Sequence, residues 1–134
     1  SLIELLVVVA IVGILGAVAY PSYLGYVQDS RRSDGKAALL TLANEQEKWH
    51  LGNGTYAGTL ASVWGSGTTS LEDYYTLSIP TATAAAFTVR AVSAAGTSQA
   101  QDTSCLCFEL DSTNLKTAHA ATECTGADTG PTCW

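Results

Sequence analysis

Two groups of side chains in this sequence have the makings of chemistry. One is a lone carboxylate: Glu4 is the single side chain charged at neutral pH in residues 1–27 and lies against an apolar run, Leu5 to Tyr20, that no charge interrupts. The other is a set of four cysteines, Cys105, Cys107, Cys124 and Cys133, all in the last 30 residues. A charged carboxylate at the centre of a membrane helix costs about 2.5–3.5 kcal/mol, less toward an end, and calls for a positive partner. The nearest basic side chain, Arg31, is about 40 Å away along a helix. The partner of Glu4 must therefore come from outside this chain's own side chains.

An even number of cysteines crowded into one end reads as two disulfides in an oxidising compartment. Zinc would need Cys-x₂₋₄-Cys pairs, whereas Cys105 and Cys107 have one residue between them and Cys124 and Cys133 are nine apart. No metal site is expected. Four cysteines allow three connectivities, and spacing does not choose among them. Each bridge stabilises by about 2–4 kcal/mol through loop closure and ties the C-terminal loop to a strand.

Enzymatic motifs are missing. There is no phosphate-binding Gly-x-x-x-x-Gly-Lys-[Ser/Thr], no Gly-x-Gly-x-x-Gly, no His-Glu-x-x-His and no Gly-x-Ser-x-Gly. His50 ends a polar helix, and His119 reads as a lone loop histidine. Glu45 and Glu47 are two apart on a helix and point to different faces, so they cannot share a proton. No catalytic residue and no cofactor is expected. Arg31 and Arg32 read as a solvated pair, because two charges do not make a patch. Asn53-Gly54-Thr55 matches a glycosylation sequon.

With 134 residues, the chain has the length of one ordinary domain. Twelve acidic and six basic side chains give a formal charge of −6. That lacks the basic stripe that phosphate contacts require, so nucleic acid is not expected as a partner. The 47% hydrophobic content excludes disorder.

The elements that must position Glu4 and the cysteines follow from hydrophobic patterning. Residues 5–20 would span about 24 Å as a helix. Their faces are apolar all round, so this helix is buried in lipid or in other protein. A secretory signal peptide would have basic residues ahead of the run and a small-residue cleavage site after it; Tyr20-Pro21-Ser22-Tyr23 stands there instead. The helical pattern continues from Ser22 to about Leu51, with Leu39, Leu42, Gln46 and Trp49 on one stripe, and Gly52-Asn53-Gly54 ends it. Residues 1–51 form one helix about 75 Å long. Gly13, Gly16 and Pro21 make residues 13–21 its weakest stretch.

Residues 52–73 read as a Gly/Ser/Thr-rich loop pinned by Tyr56, Leu60, Val63 and Trp64. Strands are expected at Tyr74–Ile79, stopped by Pro80, at Phe87–Val92, at Cys105–Leu110 with Leu106, Phe108 and Leu110 inward, and at Leu115–Ala118 as an edge. The expected organisation is an apolar helix over residues 1–27 and a globular headgroup over residues 28–134. The headgroup comprises the helix continuation, the loop 52–73, a sheet in residues 74–118 and a C-terminal loop 119–134. The fold class is α+β, one long helix on a small antiparallel sheet.

The segments Ser1 to Leu15 (SLIELLVVVAIVGIL) and Ala17 to Tyr23 (AVAYPSY) resemble the amino terminus of mature type IV pilins. Tyr23 to Val27, Arg31 to Gly35, Gln46 to Trp49, Asn53 to Tyr56 and the final Cys133-Trp134 are similar to the PilE-like branch. Family chains are cut by prepilin peptidase and begin with an N-methylated Phe. This sequence begins at Ser1, so a processed chain lacking the leader and the first Phe is expected. The resemblance implies that Glu4 neutralises the terminal amine of a neighbouring subunit, and that Ser1, Glu4, Gly13 and Pro21 serve assembly. It implies that the helix can unwind between Gly13 and Pro21 in a filament. It also implies a Cys105–Cys133 bridge, which leaves Cys107 with Cys124. The implied function is a structural subunit of a type IV pilus, with identical copies in a helical filament. The chain would sit in the bacterial inner membrane as a precursor and on the cell surface afterwards, and would use pilus assembly machinery. Adhesion, twitching motility or uptake would be served. The alternatives are a minor pilin acting as a DNA-uptake receptor and a type II secretion pseudopilin.

Overall fold

The computed structural model describes residues 1–65 and 67–134; Ser66, within the loop 52–73, lies outside the described residues. The chain forms two compact units, Ser1–Ser30 and Arg31–Trp134. The first is wholly helical from Leu2 onward, the beginning of α1 (Leu2–Asn53). Pro21 lies inside α1 and does not break it. Proline in a helix interior costs about 3 kcal/mol and one backbone hydrogen bond, and one such loss does not unwind the turns on either side.

The second unit holds the last part of α1 and every other element. These are α2 (Leu60–Val63), β1 (Tyr75–Ala82), β2 (Phe87–Ser93), a 3₁₀ turn (Ser98–Gln101), β3 (Cys107–Asp111), β4 (Lys116–His119) and α3 (Gly130–Cys133). α1 ends two residues beyond the expected Leu51. The Asn53 side-chain amide donates to the Trp49 carbonyl at 2.9 Å, and Gly54 leaves the helix at φ 68°, where the missing Cβ removes the steric penalty.

The strands form an antiparallel meander in the order β1-β2-β3-β4. One row across it is Leu77, Ala91, Phe108 and Ala118, all buried. That face packs on the helix stripe Ala38, Leu39 and Leu42. Gln46 continues the stripe fully buried, because its amide exchanges two 2.8 Å hydrogen bonds with the Ala57 backbone. A buried amide so paired leaves no group unsatisfied, and it fastens the loop after α1 to the core. Gly35 lies against the Tyr75 side chain of β1. A Cβ there would sit 2.9 Å from the Tyr75 ring, so the loss of helix propensity at glycine, about 1 kcal/mol, is offset by the close approach of helix and ring.

The structure moves several expected boundaries. Pro80 is inside β1 rather than after it. β1 is an edge strand, and its register shifts between Ser78 and Thr81; an edge with a bulge is where a strand tolerates a residue without an N–H. β3 starts at Cys107, and Leu106, expected inward, is half-buried, while Cys105 occupies the core. His119 is the last residue of β4 rather than a loop histidine. Trp49 is half-buried at the end of its stripe.

Candidate functional site

Among the residues of the first unit, every side chain from Ser1 to Tyr26 is exposed. The apolar ones include Leu2, Ile3, Leu5, Leu6, Val7 and Val8. α1 contains a stretch long and apolar enough to cross a membrane, and none of that stretch is buried. Glu4 is 81% exposed, and its Oε2 lies 3.5 Å from the Ser1 amine one helical turn away. An exposed local contact of this kind contributes little. A Cβ at Gly13 would meet nothing within 4 Å, so that glycine is not required by packing within this chain.

The four cysteines come together in the second unit. Cys105 is bonded to Cys133 and Cys107 to Cys124, with Cα separations of 5.9 and 5.4 Å. The segment between the bridges runs along the free side of β4. The Thr129 N–H donates to the Ala118 carbonyl at 2.7 Å, and the Trp134 indole donates to the Thr117 carbonyl at 2.7 Å. Asp128 Oδ1 accepts from the Ala118 and Gly130 N–H groups at 3.0 and 2.7 Å. Those two backbone bonds hold the Asp128 carboxyl below the ordinary range. The C-terminal segment thus covers a sheet edge that would otherwise invite another strand.

A polar cluster that sequence reasoning missed lies between α1 and the connection from β2 to β3. Arg32 grips Asp102 with two hydrogen bonds, Nε to Oδ2 at 2.6 Å and Nη2 to Oδ1 at 2.8 Å. Asp102 is 2% exposed and Arg32 13%. The Gln99 amide donates to Asp102 at 3.1 Å and to the Tyr75 hydroxyl at 2.9 Å. Burial pushes the Asp102 carboxyl upward, but the Arg32 fork and nearby backbone N–H groups outweigh it, and the carboxyl sits below its usual value. Burial also raises the Tyr75 phenol. The pair Arg31 and Arg32 is therefore not a solvated one: Arg31 donates to Ser98 Oγ and stacks over the Tyr74 ring at 4.7 Å. Arg32 and Asp102 are 70 residues apart, and no local pattern joins them.

The remaining cations also have contacts. Lys36 donates to the Cys133 carbonyl at 3.0 Å, Lys48 pairs with Glu45, Arg90 pairs with Glu109 at 2.8 Å, and Lys116 lies 5.3 Å from the Trp134 ring centroid. His119 Nε2 is 4.0 Å from Glu109. His50 stacks on Tyr56 and contacts the Ala84 carbonyl. Among the described residues, no three His, Cys, Asp or Glu side chains are grouped to hold a metal ion.

Residues 21–111, more than half of the chain, match the sequence model of a family described as the type IV minor pilin ComP, DNA uptake sequence receptor. Among solved structures, the non-core minor pilin PilV of Neisseria meningitidis is similar at a TM-score of 0.56 and 19% identity. That similarity covers 77% of this chain and 98% of PilV and is a likeness of fold. A type IV pilin from Shewanella oneidensis is similar at a TM-score of 0.51 and 26% identity, over 75% of this chain and 99% of that one. The expectation that nucleic acid is not a partner, drawn from net charge, finds no support in the description of the matched family.

Proposed function

This chain belongs to the type IV pilin family, in the group that ComP represents, and from that premise we propose that it is a filament subunit. In this reading, the first unit anchors the chain in the inner membrane until assembly. It then packs against the same segment of other copies in the core of a helical pilus displayed at the cell surface. The observation that carries the reading is the exposure of every apolar side chain from Leu2 to Leu24. A soluble monomer rarely leaves a continuous apolar patch above a few hundred Å², so this surface requires lipid before assembly and protein afterwards. Heterologous contacts that do not close generate a helical fibre. The role is structural, with prepilin peptidase and assembly machinery as processing partners.

Glu4 has a specific part in this reading. Its carboxylate meets the α-amine of the next subunit, a group that is positive at neutral pH. Desolvating both charges cancels most of the attraction, so the contact sets register more than it adds stability. Glu4→Ala is expected to leave the chain in the membrane fraction while sheared, ordered filaments are lost. Ordered filaments in wild-type amount from Glu4→Ala cells would refute the role of Glu4. A chain retained in the membrane of cells whose filaments are unchanged in amount and composition would refute the subunit itself.

The family description supports a second reading, a minor pilin that captures DNA for uptake. Charge weighs against it. The twelve acidic side chains less Glu4 and Asp29 leave ten in residues 31–134, against all six basic ones, a formal −4. If the reading holds, the purified chain retards duplex DNA at 50 mM salt, and retardation weakens steeply toward 200 mM, because each phosphate contact adds about 0.9 to the salt slope. No retardation at 50 mM would end it.

A further inference from the structure

The connection from β2 to β3 is fastened in a way unlike the rest of the headgroup. Residues 95–103 read AGTSQAQDT, with no side chain larger than alanine that is apolar, and none of them belongs to the hydrophobic core. Their two buried side chains are Gln99 and Asp102. The backbone N–H groups of Ala100 and Asp102 bond within the segment, to Thr97 and Gln99, and that of Thr97 bonds to Ala94 at its edge. Both ends are fixed. The Ala94 N–H donates to the Tyr74 carbonyl at 2.8 Å, and the Ser104 carbonyl accepts from Thr129 Oγ1 at 3.1 Å next to the disulfide-bonded Cys105.

We propose that residues 95–103 form a flap, hinged at Ala94 and Ser104, that is latched onto α1 by the Arg32–Asp102 pair and undocks as a unit when that pair is lost. A segment opens locally when few apolar contacts hold it, and here polar contacts hold it, among them Arg32 to Asp102, Gln99 to Tyr75, and Arg31 to Ser98. The pair favours a shared exit. Removing one partner of a buried pair strands the other charge, but a flap that swings out carries Asp102 into water and leaves Arg32 at the surface of α1. The sheet's ladders do not run through the segment.

Amide hydrogen exchange of the full-length chain in detergent, resolved by peptide and corrected for intrinsic rates, tests the flap. Asp102→Asn is expected to speed exchange of the amides of residues 97–102 by about ten-fold or more, with β2 and β3 unchanged. Arg32→Lys, which keeps the charge and loses the fork, should fall between. For wild type, low urea should release residues 97–102 before residues 87–93 and 107–111, a readout that does not depend on any variant folding. Exchange of the flap in step with the sheet, or no acceleration in either variant, would overturn the proposal.

Discussion

Phe108→Ala is expected to destabilise the headgroup by about 3–5 kcal/mol, the range for deleting a buried aromatic ring. Phe108 is 0% exposed. Its direct neighbours across both ladders are alanines, Ala91 on β2 and Ala118 on β4, so this one ring fills the space over three strands. It meets Tyr75 and Trp134 edge-on, each at a centroid distance of 5.7 Å, and such pairs add about 0.5–1.5 kcal/mol beyond burial. The cavity left by alanine cannot collapse easily. Two of its walls are strand backbones, and Cys105–Cys133, in the same core cluster, ties down the segment that carries Trp134. Leu115→Ala is the control: Leu115 is 60% exposed, and the change should stay within about 0.5 kcal/mol. Urea unfolding followed by tryptophan fluorescence measures both, since Trp64 and Trp134 pack in or against the core. A loss below about 1.5 kcal/mol for Phe108→Ala would mean that the ring is not the centre of the core.

The parts of this fold that were legible in the sequence are those set by short-range periodicity. Leu39, Leu42 and Gln46 recur at helical spacing and are buried together; Phe87, Val89 and Ala91 alternate and are buried together. The misreadings have one physical source, which is that a local rule was decided by a distant partner. Pro80 reads as a stop, yet the edge position and bulge of β1 accommodate it. Alternation puts Leu106 inward, yet Cys105 takes the core. Gly35 carries no signal until the Tyr75 ring, 40 residues later, is laid against it. Arg32 looks solvated because Asp102 and Gln99 lie far along the chain. The exposed stem and its single acid were visible from composition alone. Net charge alone does not decide partners, because it counts ionisable groups without regard to where they lie or how they are paired.

The two disulfides are not expected to contribute equally. Cys105–Cys133 closes 28 residues and Cys107–Cys124 closes 17. Loop closure alone gives about 3.6 and 3.1 kcal/mol respectively, a small gap. Native-state context widens it. Cys105 and Cys133 both belong to the core cluster beside Phe108, whereas Cys107 and Cys124, though also buried, lie outside it, so alanine at 105 and 133 removes sulfur atoms from the core itself. Cys124 holds a left-handed backbone at φ 57° within a largely exposed loop. That conformation costs a non-glycine residue about 1–2 kcal/mol, a penalty that relaxes once the bridge is gone. The paired substitution Cys105→Ala with Cys133→Ala should therefore cost about 3–5 kcal/mol, and Cys107→Ala with Cys124→Ala about 1–2 kcal/mol. The first loss frees the chain terminus from Cys105, ahead of β3, and leaves it held to α1 by Lys36 and to β4 by the Trp134 indole; the second frees a loop whose side chains are mostly in water. The midpoint of urea unfolding, at unchanged slope, reads the difference directly. Equal losses, or a larger one for Cys107–Cys124, would show that loop length and core packing do not rank these bridges.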